Sequence, residues 1–171
     1  MVSGVLQNVC WFAARTRYGQ EIPIRDRLER LGVEHFIPTR QAGRPRGRRT
    51  VERPVINNLV FLRTTKNEAC ALANEAGVPV RYIIDCVTRT LLVVPDKQMD
   101  DFRRVLDLSI DEGGLMDEPL ALGERVRVVK GPLKGVEGFV AEFHGKAYVV
   151  VSLCNSIFAR AQVPRSWLER A

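Results

Sequence analysis

The run from Gly123 to Val140, Gly-Glu-Arg-Val-Arg-Val-Val-Lys-Gly-Pro-Leu-Lys-Gly-Val-Glu-Gly-Phe-Val, constrains the chain more than any other stretch. It reads as a strand, a Gly-Pro turn with glycines at fixed offsets, and a second strand. Pro132 presets φ at the turn, and Gly135 suits a position that needs φ > 0. Gly138 lets the next strand bend tightly against its partner. No catalytic motif accompanies the run. It points to a protein that works by gripping partners.

Around this turn only short strands are expected: 125–129, 136–143, 147–153 and 157–163. Even spacing with Gly and Pro turns predicts a small β-barrel over residues 121–171. A domain that short is near the lower limit for independent folding. Ahead of it, residues 109–120 hold Asp111, Glu112, Gly113, Gly114, Asp117, Glu118 and Pro119, the composition of a linker.

Residues 8–108 have a different pattern. Residues 9–15 suit a buried strand. Pro23 stands where a helix can begin, with Ile24, Leu28 and Leu31 stacked on one face and Gly32 at its end. A strand over 33–38 leads to a polar, arginine-rich hairpin loop at 40–53, and 55–63 resumes as a strand. Thr65-Lys66-Asn67-Glu68 has the form of a capping box before an Ala-rich helix that Gly77 stops. Residues 80–85 and 90–94 read as a strand pair. Pro95-Asp96 opens a third helix with Met99, Phe102 and Leu106 on its inner face. The order predicts an α+β domain, an antiparallel sheet with helices packed on it.

The net charge of +6 is unevenly placed. Residues 1–60 hold eleven Arg against five acids, so all of the excess lies in the first third, and every base there is Arg. The guanidinium fork suits phosphate, and a local basic surface suits nucleic acid. Apolar (46%) and charged (27%) shares are those of a soluble globular protein. No apolar run is long enough for a membrane span, and residues 1–14 lack the charged n-region of a secretory signal. Cys10, Cys70, Cys86 and Cys154 are widely spaced, which predicts neither a zinc site nor a disulfide framework and implies a reducing cytoplasm. No cofactor or metal is expected.

Gly131-Pro132-x-x-Gly135-x-x-Gly138 resembles the KOW motif. Trp11-Phe12-Ala13-Ala14-Arg15-Thr16-Arg17-Tyr18-Gly19-Gln20-Glu21 resembles the first strand and turn of NusG N-terminal domains. Phe36-Ile37-Pro38-Thr39 and residues 53–63 resemble later strands of the same domain. One departure stands out. Housekeeping NusG proteins have Pro-Gly-Tyr where this chain has Asn57-Asn58-Leu59. An Asn there looks more like the specialised paralogues, RfaH and the UpxY-type antiterminators of capsular polysaccharide operons, as does the stretch 93–102.

The resemblance implies an elongation and antitermination factor that is not an enzyme. Its N-terminal domain would bind the clamp helices of the largest RNA polymerase subunit through an exposed apolar patch near Ile56, Leu59, Phe61 and Tyr82. Arg17, Tyr18 and Gln20 occupy the place that touches non-template DNA. Arg44, Arg46, Arg48 and Arg49 would reach upstream duplex or single-stranded DNA. The KOW barrel would recruit a ribosomal protein or Rho. Two alternatives remain at this point: a general NusG-like elongation factor, and a ribosome-associated KOW protein, which the neutral balance of residues 61–171 disfavours. Only His35 and His144 are present. His35 sits in an apolar strand and reads as structural.

Overall fold

The computed structural model describes residues 8–42, 50–109, 122–153 and 157–171. The chain divides into two compact units, Met1–Pro95 and Asp96–Ala171.

The first unit is built on β1 (Cys10–Arg15), which pairs antiparallel with β5 (Leu59–Thr64) along its whole length. β2 (Glu34–Phe36) extends the sheet beyond β5. On the other side of β1 lie two short strands, β6 (Arg81–Tyr82) opposite Ala14 and Arg15, and β7 (Val93–Val94) opposite Trp11 and Phe12. The strand pair expected at 80–94 is thus much shorter than its sequence suggests. It is tied together by the Ile84–Leu91 bridge and the Asp85 N–H bond to Thr90 O.

Helix α1 (Glu21–Arg30) begins before Pro23, which sits inside its first turn. That costs nothing, because first-turn N–H groups have no intrahelical partner. Ile24 and Leu28 are buried against Ala14, Val60, Leu62, Leu72 and Val78. Burying each is worth about 2 kcal/mol relative to exposure. Leu31, expected on the same face, is the cap residue and is 49% exposed. Helix α2 (Lys66–Asn74) carries the complete capping box: Glu68 N–H donates to Thr65 Oγ1, and Thr65 N–H donates to the Glu68 carboxylate.

β3 (Thr39–Ala42) and β4 (Val51–Pro54) form the expected hairpin. Arg25 on α1 grips its base through Glu52, which also accepts from Thr39 Oγ1 at 2.5 Å. Arg44, Arg46, Arg48 and Arg49 lie outside the described residues, as does the linker segment 110–121.

The second unit is an antiparallel sheet in the order β11-β10-β9-β8-β12, made of β8 (Arg125–Val128), β9 (Glu137–Phe143), β10 (Lys146–Leu153), β11 (Ile157–Gln162) and β12 (Leu168–Arg170). Strand β12 was not evident from the sequence. It follows a 3₁₀ turn at Arg165–Trp167 and pairs with β8. Among the described residues β11 and β12 do not pair, so the closed barrel expected from the strand spacing is found as an open ladder.

The Gly-Pro turn joins β8 to β9 and uses its glycines for two different purposes. Gly131 (φ +78) lies under Trp167, where an added Cβ would sit 2.2 Å from the ring. Gly138 has ordinary φ, but its missing Cβ would lie 2.3 Å from Val150 O, so β9 and β10 approach closely there. Helix α3 (Asp96–Ser109) lies against β10 and β11 in this unit, although the sequence assigns it to the first domain. Met99, Phe102, Val105 and Leu106 are fully buried. Its polar residues clasp the turn. Lys97 donates to Gly135 O (2.9 Å), Arg104 to Pro132 O and Lys134 O (2.9 and 2.8 Å), and buried Asp101 accepts from Glu137 N–H (3.2 Å).

Candidate nucleic-acid interface

Where β1 ends, the chain runs through Thr16–Gln20 into α1. Arg15 closes β1 and lies directly across from Arg81 on β6. These two, with Thr16, Arg17, Tyr18, Gln20 and Pro79, line an open hollow of about 810 Å³. Three arginines thus line one hollow, and none of its described lining residues is acidic. Tyr18 is 79% exposed. An exposed Tyr ring can stack on an unpaired base, and Gln can read a base edge. Arginines on flanking strands can hold the phosphates. The sequence picked out Arg17, Tyr18 and Gln20. It missed Arg15 and Arg81, which are far apart in the chain and meet only through the β1–β6 register.

The loop is fixed at several points. Thr16 Oγ1 donates to Pro79 O (3.2 Å), and Gln20 N–H donates to Arg17 O (3.1 Å). Thr16 N–H donates to Asn58 O (3.1 Å), and Asn58 N–H donates to Glu21 Oε1 (2.7 Å). Asn58 has φ +60. Gly and Asn enter that region far more readily than other residues. Asn58 therefore holds this backbone shape without a glycine.

The expected polymerase patch is not one surface. The β1 register and strand alternation place Leu59, Phe61 and Arg63 on one face, beside Arg15, Ala13 and Trp11 of β1. Tyr82 pairs with Ala14 and joins the opposite face, with Val60 and Leu62. Nor are these residues exposed: Ile56, Leu59 and Phe61 are all buried. The reason is that β5 is a central strand with both faces covered, a pattern its continuous apolar run Leu59-Val60-Phe61-Leu62 already carries. Burial also drives the Tyr82 phenol up to about 12, and its hydroxyl has no partner among the described residues. The exposed apolar side chains in this part of the sheet are Ile84, Val87 and Val93.

Neither histidine forms a catalytic constellation. His35 Nδ1 lies 2.8 Å from Val33 O in a structural bond, and His144 (φ +48) sits edge-on to Phe143 at 4.1 Å. No group of His, Cys, Asp or Glu among the described residues is arranged to hold a metal ion. No described helix is long and apolar enough to cross a membrane.

Comparison with known proteins agrees with this layout. The family model for transcription termination factor NusG matches residues 9–103, more than half of the chain. No curated protein sequence matches. Among solved structures, the chain resembles one described as "Domain interaction in Thermotoga maritima NusG", at 17% identity and a TM-score of 0.53, covering 95% of this chain and 97% of that one. A chain of the MjSpt4:Spt5 complex is similar at 16% identity over 94% of this chain and 97% of that one, with a TM-score of 0.28, too low to define a shared fold. The first unit, with its sheet, two helices and arginine-lined hollow, is the part that the family model covers almost entirely, and the chain belongs to the NusG family of transcription factors.

Proposed function

We propose that this chain is an operon-specific transcription elongation and antitermination factor, of the kind that serves capsular polysaccharide operons. It acts in the cytoplasm by binding, without a reaction. The first unit binds the clamp helices of the largest RNA polymerase subunit and favours the processive state of the enzyme over the paused one. The observation that carries the reading is the hollow lined by Arg15, Arg17, Arg81, Tyr18 and Gln20 in a chain of this family. A base freed in the transcription bubble would stack on Tyr18 and meet Gln20, while the arginines hold its phosphates. Asn58 at the family's Gly position supports the specialised reading over a general elongation factor.

The polymerase contact is assigned to the exposed Ile84, Val87 and Val93, and not to the buried Ile56, Leu59 and Phe61. The second unit, with the KOW turn at Gly131, Pro132, Gly135 and Gly138, recruits a further partner, a ribosomal protein or Rho. Titration of the labelled full-length protein with a clamp-helix fragment tests the first contact. Saturable binding that Ile84→Ser/Val93→Ser weakens is expected, and no binding by the folded wild type overturns it. Titration against paused elongation complexes from many operons tests specificity. Preference for a few is expected, and uniform binding would make the protein a general factor.

A further inference from the structure

We infer that Glu21, acting through the backbone of Asn58, is the positioning residue of the nucleic-acid hollow: it sets where Tyr18 and Gln20 stand without touching the nucleic acid itself. The inference rests on the assignment of the hollow to nucleic acid.

The geometry is that of a peg holding both ends of a loop. Thr16, at the start of the loop, donates its N–H to Asn58 O at 3.1 Å. Glu21, at its end, accepts the Asn58 N–H on Oε1 at 2.7 Å. Both backbone groups of one residue are therefore spent on the segment that carries Arg17, Tyr18 and Gln20. They can serve both ends because Asn58 sits at φ +60. Between the two tethers the loop has one internal backbone bond, Gln20 N–H to Arg17 O.

Glu21 is wholly buried, an unusual place for a carboxylate. Its Oε2 and the Asn58 Oδ1 are buried without a partner among the described residues. Leaving such acceptors dry is unfavourable. Two features offset this: the charge-assisted bond to the Asn58 N–H, and the position of Glu21 in the first turn of α1, where the helix dipole favours negative charge. A glutamine amide at this position could accept the same N–H at lower desolvation cost; the carboxylate makes the bond charge-assisted and therefore stronger.

The hollow has two kinds of wall. Arg15 and Arg81 stand on paired strands, and their placement does not depend on the peg. Arg17, Tyr18 and Gln20 stand on the pegged loop. Loss of the peg must therefore remove the stacking and base-edge contributions, with the phosphate contact of Arg17, and leave the phosphate contribution of the strands in place. General destabilisation would not separate the two.

The test is a double-mutant cycle on the full-length protein, with fluorescence anisotropy on homopolymeric single-stranded DNA well below the melting temperature. Glu21→Ala should weaken binding about tenfold, the scale of one base–aromatic stack. Tyr18→Ala should do the same alone and add little in the Glu21→Ala background. In Glu21→Ala the slope of log K against log salt should become shallower by no more than about 0.7, the share of Arg17 on the loop, because Arg15 and Arg81 keep their phosphates. Asn58→Gly, which keeps the backbone shape, should bind like wild type, while Asn58→Ala should behave like Glu21→Ala and serves in its place should that variant not fold. In the free protein, amide exchange at Thr16 and Gln20 should speed up in Glu21→Ala while Phe12 and Ala14 of β1 stay protected. Additive losses, or a salt slope in Glu21→Ala shallower by clearly more than about 0.7, overturn the positioning role while the DNA assignment stands. If the folded wild type binds no single-stranded DNA, the assignment itself falls, and the inference with it.

Discussion

The arginines that the fold adds to the hollow give a prediction whose size follows from counting charges. Arg15 and Arg81 face each other across β1 and β6 and are both exposed. If each neutralises one phosphate of single-stranded DNA, each contributes about 0.7 to the slope of log K against log salt. Replacing both by Ala should make that slope shallower by about 1.4, whatever the remaining arginines contribute. Between 50 and 200 mM salt, the wild type should then lose about sevenfold more affinity than the double variant. Fluorescence anisotropy with a short labelled oligonucleotide, at several salt concentrations, measures both slopes directly. Arg30→Ala is the control: it removes one positive charge, half of what the double variant removes, from the last turn of α1, where Arg30 bonds Asp26 O. Its slope should match the wild type. An unchanged slope in the double variant would refute the hollow as a phosphate site. So would a change half as large in Arg30→Ala, because the arginines would then be acting only through net charge.

Other consequences follow from particular contacts. Arg25, and then Thr39, hold the Glu52 carboxyl below the usual range. A lowered folded-state value means that this contribution to the hairpin is complete above the ordinary carboxylate pKa and fades as pH falls through the lowered one. The exchange protection of the Val55 amide, which bonds Pro38 O at the hairpin base, should therefore drop on acidification and be low already at neutral pH in Glu52→Gln. A flat profile would contradict the anchor. Gly138→Ala places a methyl 2.3 Å from the backbone oxygen of Val150 and should cost about 3 kcal/mol, at the upper end for overpacking. Gly135→Ala meets open space and carries only the strain of its φ of +89, about 1–2 kcal/mol. Denaturant titrations giving the reverse order would undo the close-approach argument. Thr65→Ala removes the hydroxyl that accepts the Glu68 N–H and should cost about 1 kcal/mol in the same assay.

Local signals were the legible part of the fold. The capping box, the helix faces at Ile24 and Leu28, the hairpin at 40–53 and the turn at Gly131–Gly138 each depend on residues close together in sequence. Leu31 was misplaced by a single residue of helix length: periodicity gives a face, but the end of the helix decides whether that face still meets the core. Strand β12 was hidden because Leu168-Glu169-Arg170 has no pattern of its own and becomes a strand only through its pairing with β8. The candidate site divides along the same line. Arg17, Tyr18 and Gln20 lie on one loop and could be named from it. Arg15 and Arg81 needed the sheet register, and so did the separation of Tyr82 from Phe61, which alternation alone cannot assign across different strands.

The two ways of dividing this chain place helix α3 on opposite sides, and each follows from a different physical quantity. Composition finds the boundary at 109–120, where acid and glycine leave little apolar surface to bury. Packing finds it at Pro95, because what unites Asp96–Ser109 with β10 and β11 is burial of Met99, Phe102, Val105 and Leu106. The polar contacts agree with the packing. Lys97, Asp101 and Arg104 all bond to the backbone of residues 132–137, so they recognise the shape of the turn and not its side chains. Three otherwise open carbonyls and one N–H of the turn are satisfied by this one helix. A sheet this small has little apolar surface of its own to spare. A fragment starting at Asp96 should therefore unfold at a higher denaturant concentration than one starting at Ala121. The steeper transition expected of the longer fragment, which exposes more surface on unfolding, would separate a helix that shares the core from one that merely precedes it.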